Sequence, residues 1–85
     1  MFSFIFSALV TFNYPILPGK LYEACYKPDG LAEVCTPMSA TPKFVTVADD
    51  TIFDFYMKVD GQMSEVTRVQ TAKKKLSAPL VSVEQ

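Results

Sequence analysis

From Met1 to Gly19 the chain carries no charged side chain, and apolar residues fall on every second position. Phe2, Phe4, Phe6, Ala8, Val10, Phe12 and Tyr14 hold the even positions; Ser3, Ile5, Ser7, Leu9, Thr11 and Asn13 hold the odd ones. Side chains alternate between the two faces of a strand, so this pattern predicts a long β-strand rich in aromatic and β-branched residues. A strand of thirteen residues exceeds the usual five or six. It is expected either to bend or to pair with a neighbouring chain.

Two other readings of the run are weaker. Pro15 and Pro18-Gly19 leave fourteen residues for a helix. At 1.5 Å per residue they span roughly 21 Å, short of a ~30 Å hydrocarbon core. A signal peptide calls for a basic start and a small-residue cleavage motif, but no Lys or Arg precedes Lys20. Ser3, Ser7 and Thr11 do fall four apart, as on one helix face, yet β propensity outweighs that spacing.

Turn chemistry organises the rest of the chain. Pro15 to Gly19 forms a bend. Leu21–Lys27 and Leu31–Thr36 read as strands joined at Lys27-Pro28-Asp29-Gly30, where proline presets φ and glycine accepts a positive one. Pro37 to Pro42 is a connector. Phe44–Ala48 and Thr51–Asp60 read as strands around Asp49-Asp50. In the second, Phe53, Phe55, Met57 and Val59 face a core, while Asp54, Tyr56, Lys58 and Asp60 face water. Asp60-Gly61 signals a two-residue hairpin of type I′, and Ser64–Thr71 is its return strand. A helix over residues 63–76 is the alternative, because Met63, Val66 and Val69 keep helical spacing and Lys73, Lys74 and Lys75 would suit its C-terminus. Leu76 to Gln85 reads as an extended tail or short edge strand. The expected fold is therefore all-β or β-dominated, a small antiparallel sandwich or barrel of hairpins with extended N- and C-terminal arms. It divides into an apolar arm over 1–19, a β-rich core over 20–76 and a tail over 77–85.

Cys25 and Cys35 flank the first turn. With a three-residue loop they would lie diagonally, too far apart for a comfortable bridge; a wider loop would set them opposite each other. The sequence leans to free thiols, which pack as small hydrophobes.

Composition narrows the function. There is no histidine, so neither a Ser-His pair nor a four-ligand structural zinc site can be written. Glycine occurs only at positions 19, 30 and 61, which removes the phosphate loop and the dinucleotide fingerprint. Asp49, Asp50 and Asp54 lack calcium-loop spacing and suit turns instead. No catalytic, cofactor or metal residue is assigned. The net charge of −1 lacks the basic excess of a nucleic-acid binder. Yet 49% of the 85 residues are hydrophobic. A chain of this size hides only roughly 60–65% of its unfolded surface, so some apolar area is expected to stay exposed and to meet a partner.

The expectation is a non-catalytic structural or assembly subunit that docks on a larger complex or on itself. Minor virion and capsid-decorating proteins offer an analogy of size and composition alone. A protein-binding or inhibitory module, or a membrane-associated small subunit, is the alternative. Candidate partner-contact residues are Phe2, Phe4, Phe6, Val10 and Phe12 of the apolar run and the basic Lys73, Lys74 and Lys75. An intracellular or virion-associated location is favoured over secretion.

Overall fold

The computed structural model describes residues 7–71, 76–77 and 81–84. Among the described residues there are nine strands: β1 (Ser7–Phe12), β2 (Tyr22–Pro28), β3 (Val34–Pro37), β4 (Lys43–Ala48), β5 (Ile52–Val59), β6 (Gln62–Met63), β7 (Thr67–Gln70), β8 (Leu76–Ser77) and β9 (Val81–Glu84). They form two sheets, every pairing antiparallel. The first has the order β4-β1-β9-β8, and the second β3-β2-β5, with β6 and β7 in succession along the far side of β5. The inner faces of the two sheets share one core, so the chain is a small all-β sandwich.

The alternation in the apolar run does what its period implies. Ala8, Val10 and Phe12 are wholly buried, while Ser7 and Leu9 point outward. The strand proper is six residues long, and both its edges are occupied within the chain. Ala8, Val10 and Phe12 sit opposite Val47, Val45 and Lys43 of β4, and Val10 and Phe12 also sit opposite Val83 and Val81 of β9. The long strand pairing with a neighbouring chain is thus replaced, over residues 7–12, by an inner strand of the chain's own sheet. Phe2, Phe4 and Phe6 lie outside the described residues. The C-terminal segment differs likewise: Val81–Glu84 is an inner strand between β1 and β8, where the sequence suggested a tail or an edge.

Opposite this sheet, Phe53, Phe55 and Met57 of β5 fill the core as their pattern predicts, with Val59 half-buried. The type I′ turn forms as its chemistry demands. Val59 pairs with Gln62, and both Asp60 and Gly61 have positive φ, 50° and 83°. Asp60 is further held to Leu21 in both directions, its amide donating to the Leu21 carbonyl and its carboxylate accepting from the Leu21 amide, each at 2.8 Å.

The return strand is broken in two. Lys58 faces Met63, whereas Phe55 faces Thr67, so Tyr56 and Met57 stand against Ser64, Glu65 and Val66. The extra residue makes a bulge. Ser64 repairs the ladder there: its amide donates to Met57 and its hydroxyl accepts from the Met57 amide. Among the described residues the alternative helix over 63–76 does not occur, because Val69 is drawn into the core opposite Phe53 and extended pairing with β5 satisfies the backbone.

The first turn is shifted by one residue from its expected frame. Leu31 donates to the Pro28 carbonyl, and Gly30, at φ 76°, takes the third turn position. β2 pairs with β5 up to the first residue of the turn, Pro28, and β3 begins only at Val34. Residues 27–33 therefore separate the last β2–β3 pair, Tyr26 and Val34. That wide connection places Cys25 directly opposite Cys35, and the two form a disulfide, which overturns the free-thiol reading. The amide of Met38 donates to Tyr22, so hydrogen-bonded pairs fall on Tyr22/Met38 and Ala24/Thr36. Cys25/Cys35 is then a non-hydrogen-bonded pair, the closer kind, with Cα atoms 4.1 Å apart.

Candidate functional site

The sandwich has two unlike outer faces. On the second sheet, Cys25 lies between Cys35 and Tyr56 in the register, so the disulfide is flanked by the Tyr56 ring. Tyr56 sits on the face predicted to be wet, yet it is buried. Its hydroxyl donates to the Glu33 carboxylate, which also receives Lys58 at 2.6 Å. Lys58 first and Tyr56 second hold the Glu33 carboxyl below its ordinary range. Burial first, then the bond to Glu33, pushes the Tyr56 phenol up to about 12. Nearby, Arg68 bridges Asp29 and Asp54, both at 3.0 Å, and these carboxylates raise its pKa. Ion pairs therefore cover much of this face.

Cys25, Cys35 and Glu33 bring three ligand-type atoms within 4.8 Å of one another. In the oxidised pair the sulfurs are bonded to each other and offer no thiolate. The Glu33 carboxylate is occupied by Lys58 and Tyr56. The cluster reads as a latch that fastens the β2–β3 connection to β5. A polar groove at the other end of the sandwich is lined by Tyr14, Lys20, Asp60, Gln62 and Ser64. Asp60 and Ser64 are already engaged with the backbone of Leu21 and Met57.

The outer face of the first sheet is different. Where β1 meets β4, the outward pairs are Ser7 with Ala48, Leu9 with Thr46, and Thr11 with Phe44. None is charged. Leu9 and Phe44 are exposed, Phe44 at 60%. The β1–β4 part of this face is uncharged, whereas on the β9 side Glu84 stands opposite Leu9 in the register; it runs to the edge strand β4, whose outer side has no partner strand among the described residues. The edges differ in how they are blunted. β3 has four residues and ends at Pro37, β8 has two, and the β6–β7 side is split by the bulge. β4 has six residues and no internal proline, bulge or charge beyond its first residue, Lys43. Open edges of this kind are templates for strand addition.

The residues singled out from sequence fall elsewhere. Val10 and Phe12 are wholly buried, their side chains spent on the chain's own core. Phe2, Phe4, Phe6, Lys73, Lys74 and Lys75 lie outside the described residues. Sequence reasoning missed Leu9, Phe44 and Thr46. Their signal was present in parity: if Val45 and Val47 face inward, Phe44 and Thr46 must face out.

The class that the fold defines is the small two-sheet antiparallel sandwich. No family model, no curated protein and no solved structure matches the chain. Among the described residues no helix is long and apolar enough to cross a membrane.

Proposed function

We propose that the protein is a non-catalytic assembly subunit that docks on other protein through the β1–β4 face and the β4 edge. The observation that carries this reading is the union of an uncharged face displaying Leu9 and Phe44 with the longest unblunted edge strand of the sandwich. An exposed phenylalanine in an uncharged surround loses little by leaving water, and an open edge supplies backbone hydrogen bonds to whatever joins it. The disulfide suits an oxidising setting, including a cell or virion surface, better than a reducing cytosol.

A second reading has its own support. Leu31, 65% exposed, stands beside the turn of the disulfide-pinned β2–β3 connection, a presentation suited to a module that binds or inhibits one protein target. A photo-crosslinking side chain placed singly at Phe44, Leu31 or Lys27 of the full chain, in cells that make it, separates the two. The assembly reading expects protein adducts from position 44. Adducts from position 31 alone would transfer the function to the hairpin. Yields at position 44 no higher than at Lys27 would overturn the assembly reading.

A further inference from the structure

We propose that Cys25, Cys35 and Glu33 form a metal site that the disulfide keeps closed. Once the bridge is reduced, the three side chains hold one thiophilic divalent cation of the zinc class. The site stands apart from the β4 edge and does not depend on the assembly reading.

The donors are gathered before any metal arrives. One ligand atom from each residue, the two Sγ atoms and a carboxylate oxygen of Glu33, lies within 4.8 Å of the other two. Zinc–thiolate bonds of about 2.3 Å in tetrahedral geometry set two sulfurs roughly 3.8 Å apart. Directly facing side chains on neighbouring strands reach that separation by rotation about χ1, with the strands left where they are. The frame around them does not rely on the bridge. Met38 stays bonded to Tyr22, and β3 keeps its register on β2. Asp29 donates its amide to the Ile52 carbonyl at 2.9 Å and pairs with Arg68 at 3.0 Å, which anchors the connection on β5. Glu33 is aimed by Lys58, 2.6 Å from one carboxylate oxygen, and by the Tyr56 hydroxyl on the other. A carboxylate has about four lone-pair positions, so these bonds leave room for a metal, and outer partners of this kind orient a metal-binding carboxylate. Two thiolates and one carboxylate, with the Lys58 ammonium, balance a doubly charged cation. Cys25 is wholly buried, Cys35 half-buried and Glu33 exposed, so the cation enters from solvent and keeps a fourth position for water. The two sulfur donors select the zinc class over magnesium or calcium.

A dithiol reductant opens the site. Its thiolate attacks one sulfur of the bridge, and its second thiol then resolves the mixed disulfide. The reductant leaves as a cyclic disulfide, having supplied the two electrons and two protons that make Cys25 and Cys35 thiols. The cation displaces those two protons as it binds.

The test reduces the full chain with a dithiol, removes the reductant without air, and titrates with Co2+ and then with Zn2+. One Co2+ per chain is expected, with a thiolate charge-transfer band and the intense visible bands of tetrahedral cobalt, and Zn2+ should displace it. The melting temperature of the reduced chain should rise on metal addition, whereas the unreduced chain should take up no cobalt. Glu33→Gln keeps both thiols and should raise the Co2+ dissociation constant at least about tenfold, since a ligand counts for no less than the outer partners that orient it. The exposed Glu65 is the control, and Glu65→Gln should leave the constant unchanged. An unfolded reduced chain would bind through its thiols alone, so equal affinity in Glu33→Gln and wild type would overturn the site even if reduction costs the fold. Absence of uptake by the reduced wild type, or one ion shared between two chains, would overturn it as well.

Discussion

Phe12 of β1 meets Phe55 of β5 edge to face across the sandwich, with ring centroids 6.0 Å apart and planes at 75°. Both rings are wholly buried. One belongs to each sheet, so the contact ties the layers together at the middle of the core. Phe53 stacks on Phe55 at 5.4 Å and passes the contact on to Tyr26 at 5.9 Å.

Phe55→Ala removes the hub of this aromatic series. The cost is expected to be about 3–5 kcal/mol, comparable with the whole stability of a domain this small. Thermal or urea denaturation should find the variant largely unfolded at room temperature. A melting temperature equal to the wild type's would show that the sheets do not depend on this contact.

Replacing Cys25 and Cys35 together by alanine releases a loop closed over a sequence separation of 10. A loop of that size is worth about 2–3 kcal/mol, which corresponds to a fall in melting temperature of roughly 10–20 °C for a domain of this length. The same fall should appear in the wild type after reduction. Thiol titration of the native, unreduced chain that detects two reactive cysteines would contradict the bridge.

Stability should change at both ends of the pH scale through Glu33 and Tyr56. The folded pKa of Glu33 lies below its ordinary 4.5. Its contribution is therefore present above that value and is lost as pH falls through the lower folded one. For Tyr56 the folded value is about 12 against 10.0. That contribution is complete below pH 10 and disappears as pH rises towards 12. Subtracting the tyrosinate absorbance titration of Tyr56→Phe from that of the wild type should leave one late-titrating phenol. Glu33→Gln should bring it only part of the way back, since burial is the larger cause. A subtracted phenol titrating near 10 would remove the latch.

Thr71 is the buried polar residue of the described core. Its hydroxyl donates towards the carbonyls of Ala48 and Thr51 and accepts from the Thr51 amide. Thr71→Val keeps the shape and strands the Ala48 carbonyl and the Thr51 amide, while the Thr51 carbonyl keeps its bond from the residue-71 amide, at an expected cost of about 1–3 kcal/mol. Hydrogen exchange should show the Thr51 amide losing protection first. Unchanged exchange at Thr51 would deny Thr71 that role.

Local chemistry made parts of this fold legible in advance. Asp60-Gly61 needed only its own two residues to be read as a type I′ turn. Phe53, Phe55 and Met57 declared an inward face because one side of β5 meets water. The disulfide was not legible, because opposing Cys25 to Cys35 depends on how far the chain travels between Tyr26 and Val34. Tyr56 escaped notice for a related reason: its burial comes from Glu33 and the disulfide, neither on its own strand. The inner position of β9 depends on β1, some seventy residues away. At the candidate site, the alternation that revealed β1 also assigned Val10 and Phe12 to a partner, when a full complement of strands within the chain absorbs them. The β4 edge emerges only when the order of strands in the sheet is known.

The pairing of Leu9–Phe12 with Val81–Glu84 sets a timetable for synthesis. Both hairpins of the second sheet, and the union of β1 with β4, lie within residues 7–70 and need nothing from β9. β1 must keep its remaining edge open until the last strand has been made. During that interval Val10 and Phe12 lack the cover that Val83 and Val81 later give them. A chain cut short before Val81 would be left in that state, with the free edge of β1 open to a stray strand.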